Sequence, residues 1–512
     1  MIMNTKSIIS IFQVFLLCIV FTSCEGILKE RGTDFINNDQ FYKNKEQCIA
    51  GANGCYRFLN SIFGSDLLIS VEGMTDVVYY PHNTSLDATF SMSPANPGSG
   101  QYLWSSCYEG IRVCNAVIAG IKASPVDEEI KPGILGEASF LRALYYYLLT
   151  CTYGDVPFFF DDVKSLEVLE RVSKLPRMDA HATRLALIDD LELYADAMHV
   201  RKPEENYSRI TAQAVYMLIA KLAMWEQDYE KAMEYLQKIR NIYGNLSQYP
   251  LEDTRFRDKN KPESIFEVQF AWSQSGIKKT TSVACFFTPS KKSGTDIYDG
   301  VSIPELGAGA SPWTSVRPLK HLLDLYENVK DDLGSSTEGV DPRRDIILGY
   351  GYNGKYFNAP TNGQKPWMGP KFWCPNMDNI ADGNNQKMFR FADALLMMAE
   401  CANELNNPTL ALSCLKEVRE RAQYIRFFTD TNKEAIAQEI MNERARELTG
   451  EYQRKWDLVR WGIYYDALKE TICKEFEPAE KNLRPYHQYY PIPDTEVVRS
   501  GGILTNDAYN NK

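Results

Sequence analysis

The sequence predicts an all-α protein, a superhelix of helical hairpins interrupted by a large irregular, loop-rich insertion that carries short strands. Three observations predict it. In 211–240 the apolar positions are Ala212, Val215, Tyr216, Ile219 and Ala223, and after a polar turn at Gln227–Asp228 they resume as Tyr229, Ala232, Met233, Leu236 and Ile239. Steps of three and four place each set on one helix face, so two antiparallel helices share one apolar seam. In 391–422 the series Phe391, Ala394, Leu395, Met398, Ala402 and Leu405 leads to Asn407 as a cap and Pro408 in a first turn, followed by Ala411, Cys414, Leu415 and Val418. Small residues on the first helix and a Tyr or Leu opening the second match the tetratricopeptide pattern. Between these units, 245–385 is rich in Gly, Pro and aromatic residues and reads as loops and short strands. The units are therefore stacked hairpins with an insertion, not a tandem array.

The elements follow in order. Lys6 precedes an apolar stretch, Ile8 to Phe21, broken only by Ser10 and Gln13. It is too short to span a bilayer and suits a signal peptide. Thr22 and Ser23 lead into Cys24 as small residues lead into a lipoprotein signal-peptidase site, so Cys24 is the expected lipidated residue. Residues 40–62 and 101–122 are helix-like, and 72–100, rich in Pro, Gly, Ser and Asn, is a loop between them. From 134 to 242 the pattern is helical, with 135–150 and 179–199 expected to form a further hairpin. Helices return from 388, and the last 35 residues are expected to be extended and proline-punctuated. Within that part, 440–462 reads as a helix stopped at Gly450 and a second amphipathic piece whose Trp456 and Trp461 fill the core. Glu443 with Arg446, and Arg444 with Glu447, are i,i+3 pairs able to face each other.

Composition narrows the chemistry. The chain has 512 residues, 44% of them hydrophobic, and a net charge of −11. It can bury a large core, and with no run of Lys and Arg it repels phosphate backbones, so nucleic acid is not an expected partner. Twelve cysteines contain no CxxC pair. Cys48 and Cys55, and Cys107 and Cys114, are seven apart, and Cys401 and Cys414 lie on apolar helix faces, as free buried thiols do, with one disulfide near the N-terminus left open. The five histidines fall in no metal-ligand spacing and no nucleophile elbow is present, so no catalytic residue, metal or cofactor is expected. Carboxylates are plentiful but nothing marks a catalytic pair. Gly349, Gly351 and Gly354 spell GxGxxG, yet KYFNAPTNGQKPW follows and cannot be helix, so the motif reads as a glycine-rich hairpin loop. The oxygen-rich run Asp378–Asn385 reads as a solvated turn in preference to a calcium loop.

The functional signal is aromatic residues in loops. Tyr79 and Tyr80 lie beside Asp76, His82 and Asn83, and Trp272, Tyr298 and Trp313 lie among Gly, Ser and Pro. A flat ring holds the C–H face of a sugar while polar neighbours read its hydroxyls. Asp76, Tyr79, Tyr80, Asn83, Trp272, Tyr298 and Trp313 are therefore the candidate ligand-binding residues. Trp313 leads them, because the small residues of PELGAGASPW keep the backbone low and leave one large ring exposed.

The order of several motifs, together with the lipobox at Cys24 and the early helix at 41–56, resembles the SusD/RagB family. They are LWSSCYEGIRVCNAVI at 103–118, GEASFLRALYYYLLTCTYGDVPF at 136–158, DPRRD at 341–345, FRFADALLMMAECANEL at 389–405, the 440–462 stretch and YYPIPDTEV at 489–497. Trp104, Arg142, Asp155, Arg390, Asp393, Arg446 and Trp456 belong to these motifs and read as architecture. The resemblance implies a tetratricopeptide scaffold, and an outer-membrane lipoprotein that binds a glycan on its loop-rich face and delivers it to a SusC-like TonB-dependent transporter. It divides the chain into a signal peptide at 1–23, an N-terminal helical part at 24–244 with a binding loop at 72–100, the insertion at 245–387 and a C-terminal part at 388–512. The alternatives are a tetratricopeptide-type protein-interaction scaffold, separated by localisation, and a glycan hydrolase, separated by product formation.

Overall fold

A computed structural model describes residues 41–64, 67–271, 279–288, 309–327, 341–349, 351–352, 355–356, 366–374, 377–424 and 426–510. The signal segment, Cys24, Trp272 and Tyr298 lie outside them.

Helices Ala212–Trp225 and Tyr229–Tyr243 form the first expected hairpin, and Phe391–Glu404 with Pro408–Arg421 the second. The two turns are built alike. Gln227 and Asn406 take left-handed φ values of 57° and 59°. The next residue then donates its N–H back to the preceding helix, Asp228 to Ala223 O at 2.9 Å and Asn407 to Ala402 O at 2.8 Å. The same two side chains cap the following helices, accepting from Lys231 N and Leu410 N. Backbone closure and cap satisfy donors and carbonyls that a helix end leaves open.

Tyr229–Tyr243 packs directly on Phe391–Glu404, which also contacts Lys433–Leu448. The superhelix therefore continues across the insertion as though it were absent. An antiparallel ladder between Ser264–Val268 and Gln386–Arg390 closes the neck where the chain leaves and returns. At the other end Lys131–Tyr153 packs on Ala180–Glu192, as expected, and is shared with Gly100–Lys122.

Smaller elements follow their local chemistry. The GxGxxG stretch is a hairpin, Gly351–Tyr352 pairing with Lys355–Tyr356. The ten cysteines among the described residues are free and buried. The tail is not extended. It forms short turns of helix at Glu477–Asn482, Pro485–Gln488 and Asp494–Arg499, because Pro478, Pro485 and Pro493 stand at helix starts, where a missing N–H costs nothing.

The 440–462 stretch is a helix, Lys433–Leu448, then a turn, then Arg454–Arg460. Gly450 takes φ 85°, and a Cβ there would lie 2.1 Å from Phe372, so both conformation and space require glycine. The charged residues do not ride the helix surface. Glu443 does meet Arg446, at 3.0 Å, but also Arg343 and Arg419. Arg444 turns away from Glu447 to Asp393 and Asp457, at 2.8 and 2.7 Å. Glu447 receives Arg343, Arg390 and Arg421. Side-chain reach across the core outcompetes the local pairing, since a buried charge must be matched wherever the partner comes from.

Burial alone would raise the carboxyls of Glu443 and Glu447. Arg343, Arg419 and Arg446 around the first, and Arg421, Arg390 and Arg343 around the second, instead hold both well below the usual range. Their contribution is complete above the pH at which an unfolded-chain glutamate ionises, about 4.3, and is lost as pH falls below it. Scanning calorimetry over a pH series is expected to show the melting temperature dropping steeply below about pH 4. A protein as stable at about pH 3 as at about pH 5 would refute that role.

Candidate functional site

A two-residue ladder brings the two candidate segments together. Val78 and Tyr79 pair antiparallel with Pro318 and Arg317, and Leu319 N donates to Val77 O at 2.8 Å. The base of the 72–100 loop is tied to the Gly450 turn through Glu72, which accepts from Gly450 N at 2.6 Å and Tyr452 N at 3.2 Å. Burial pushes the Glu72 carboxyl up to about 7 despite these two donors. Further along, Asp87 accepts from Tyr490 Oη at 2.6 Å and from Ser99 N at 3.1 Å. Its carboxyl is raised by burial, and it pins the loop to the C-terminal tail. The 440–462 stretch thus contributes to the face as its foundation.

Four rings form a continuous row across the two segments. His82 stacks on Tyr80 with centroids 5.3 Å apart and planes 11° off parallel. Tyr80 meets Phe286 at 5.7 Å, and Phe286 meets Trp313 edge-on at 5.2 Å. Tyr80 and Phe286 are buried, His82 is exposed, and Trp313 keeps 50% of its surface open. The outer rings therefore stand on a buried aromatic base. Offset and edge-on contacts of this kind are favourable geometries for aromatic pairs. A half-exposed indole is held in place by its own backbone, as Trp313 N and Thr314 N both donate to Cys285 O, at 2.8 and 3.1 Å.

The structure distributes the other candidates. Asn83 is exposed beside His82. Tyr79 points away from the row toward Phe476, 6.1 Å distant, because consecutive residues of an extended segment face opposite sides. Asp76 is buried, its two oxygens accepting from Arg454 at 2.7 and 2.6 Å. Burial would raise its carboxyl, but Arg454 and His321 hold it below the ordinary value. Asp76 also borders a cleft of about 800 Å³ in which Lys320 pairs with Asp324 and Lys474 with Glu470. Two row members were not among the sequence candidates. His82 had a signal, its place beside Tyr80. Phe286 had none, since VACFF reads as a core run.

Among the described residues no group of three or more His, Cys, Asp or Glu is arranged to hold a metal ion, and no helix is long and apolar enough to cross a membrane. The face offers flat apolar rings and neighbouring amide and imidazole groups, which is the chemistry of stacking and hydrogen bonding.

Two family models match the chain, that of the SusD family over 262–509 and that described as starch-binding, associating with outer membrane, over 88–237. The chain is 28% identical to a SusD-like protein of Formosa agariphila, with 98% of each chain covered. It is 23% identical to the starch-binding protein SusD of Bacteroides thetaiotaomicron, over 73% of this chain and 72% of that one. Among solved structures it is similar to surface glycan-binding protein A of Bacteroides thetaiotaomicron in complex with laminarihexaose. The TM-score is 0.70 at 20% identity, with 91% of this chain and 100% of that one covered. A SusD homologue from the same organism gives a TM-score of 0.75 at 18% identity, covering 92% and 98%.

Proposed function

The chain belongs to the SusD/RagB family, and from that premise we propose that it is an outer-membrane lipoprotein, anchored through Cys24 and facing the exterior. In this reading it binds an oligosaccharide or polysaccharide on the ring row, does not cleave it, and delivers it to a SusC-like TonB-dependent transporter. The observation that carries the reading is the row His82–Tyr80–Phe286–Trp313 with its outer indole half open. An exposed ring of that size is a cost in water unless something covers it. Trp313, His82 and Asn83 are the proposed contacts from the described residues, with Trp272 and Tyr298 retained from the insertion. Tyr80 supports the row from below, and Asp76 and Tyr79 belong to its foundation. The names of the relatives, starch-binding and laminarihexaose-bound, support a glycan as the ligand class.

Calorimetric titration with maltohexaose and laminarihexaose, widened to other soluble oligosaccharides where neither binds, tests it. Trp313→Ala is expected to cost about 1–2 kcal/mol, a loss of roughly five- to thirtyfold in affinity, with the fold intact. The sugar should be recovered uncut. Unchanged affinity in the folded variant would remove the row from the site, and shortened product from repurified protein would overturn the non-catalytic reading.

A further inference from the structure

We propose that Asp382 is a positioning residue for the glycan face, its buried carboxylate clamping the Val283–Phe287 helix and, through that helix, the exposed indole of Trp313. The proposal rests on the reading of the ring row as the glycan-binding face. Asp382 lies in the oxygen-rich 378–385 run, and it is fully buried there, not solvated. Its backbone pairs with Thr281 in both directions, Thr281 N to Asp382 O at 2.9 Å and Asp382 N to Thr281 O at 2.8 Å. Its side chain then uses both oxygens on backbone donors. Oδ2 accepts from Ala284 N at 2.9 Å and Oδ1 from Asn384 N at 3.0 Å.

What this clamp holds is the carrier of Trp313. Cys285 O accepts from Trp313 N and Thr314 N, and Phe286 O accepts from Val316 N at 2.9 Å. The Phe286 ring lies under the indole. Thr314 takes φ 54°, a conformation a β-branched residue adopts only when its surroundings impose it, and its hydroxyl donates to Thr288 O at 2.9 Å. The same turn holds the other side of Trp313, because Asn379 N donates to Gly309 O at 3.0 Å and Ser311 N donates to Asn379 O at 2.8 Å. One turn therefore grips the segment on both flanks of the ring.

The clamp is sensitive to protonation. An ionised carboxylate offers a full acceptor to each N–H, whereas a protonated one carries a hydrogen on one oxygen and accepts poorly there. Burial pushes the Asp382 carboxyl up to about 7, opposed by the two N–H donors and by Lys259. Lys259 Nζ donates to Phe270 O at 2.8 Å, and the other titratable groups facing Asp382 are the Cys285 and Cys374 thiols and the Tyr452 phenol. Each of these three is raised by burial and stays neutral through that range. Ordering of the indole is thus expected to increase as pH rises through about 7.

Fluorine NMR of fluorotryptophan-labelled protein tests this without any ligand. The Trp313 resonance is assigned by Trp313→Phe and followed from about pH 5.5 to about 8.5 in a His82→Gln, Glu72→Gln background, which removes the imidazole from the row and the raised Glu72 carboxyl from the base of its loop. A titration with its midpoint near 7 is expected, and Asp382→Asn should abolish it and broaden or displace the resonance. A resonance that stays flat in the parent protein overturns the proposal even where the Asn variant does not fold. So does a folded Asp382→Asn protein whose Trp313 signal still titrates. Maltohexaose and laminarihexaose binding provides the second arm, with Asp382→Asn expected about tenfold weaker. If neither sugar nor any other tested oligosaccharide binds the wild type while the resonance titrates through Asp382, the clamp stands and the glycan reading falls. If glycan binds wild type and Asp382→Asn alike with an unmoved resonance, the clamp falls and the glycan reading stands.

Discussion

Glu447→Gln is expected to lower the unfolding free energy by about 3–5 kcal/mol, the cost of breaking a buried ion pair by removing one partner. The carboxylate is shared by three guanidiniums, Arg343 at 2.9 Å, Arg390 at 2.7 Å and Arg421. All three are buried, so none can recover water when the anion goes. The amide keeps the shape of the side chain, which confines the loss to charge. Arg390 would keep Glu263 and Glu451, and Arg343 would keep Asp341 and Glu443, so the network would be weakened without being dissolved. Urea unfolding followed by intrinsic fluorescence measures the change. The exposed i,i+4 pair Lys474–Glu470 is the internal control, since its Glu470→Gln variant should unfold with the wild type. Equal midpoints for Glu447→Gln and wild type would show that the network is dispensable.

The position of this network explains why so large an effect is concentrated in one residue. Arg390 ends the ladder at the neck of the insertion, Glu263 precedes the opposite strand, and Glu447 lies on the Lys433–Leu448 helix. The charges therefore hold the insertion against the superhelix. Burying ions is a poor way to gain stability relative to apolar packing, but a mispaired arrangement would strand charges in a dry interior and so be rejected. That selectivity is useful where a long irregular segment must return in one register.

The helical hairpins were legible because their information is local. Steps of three and four and the caps at Asp228 and Asn407 lie within a few residues of what they control. The ion pairs were only partly legible, since Arg444 reaches Asp393, fifty-one positions away, in preference to Glu447. The tail was misread because proline was taken as a breaker where it begins a turn. For the ring row, the sequence marked Tyr80 and Trp313 from loop composition, while the joining ring, Phe286, comes from an apolar run indistinguishable from core. Asp382 was hidden in a stretch whose oxygens look solvated, and its inward aim depends on a partner, Ala284, ninety-eight positions away.

Trp456→Ala is expected to destabilise the protein by about 3–5 kcal/mol, the range for truncating a large buried aromatic, and to leave the proposed glycan face intact in the molecules that remain folded. Trp456 is 2% exposed on the short helix that follows the Gly450 turn, and its ring meets Tyr147 edge-on at 5.6 Å. That contact joins the 440–462 stretch to the Lys131–Tyr153 helix, so its loss opens a cavity between two parts of the chain far apart in sequence. The indole N–H finds no acceptor among the described residues, so the loss is one of packing and not of a hydrogen bond. Trp456→Phe, which keeps a ring against Tyr147 and discards the unpartnered N–H, should therefore cost clearly less than Trp456→Ala. Melting temperature and urea midpoint order the three proteins, and calorimetry at a temperature where all are folded reads the site. A Trp456→Ala protein that melts with the wild type but no longer binds sugar would move this tryptophan from the core to the binding face. A Phe variant as unstable as the Ala variant would mean that the part of the indole beyond a phenyl ring, and not the contact with Tyr147, is what the fold uses.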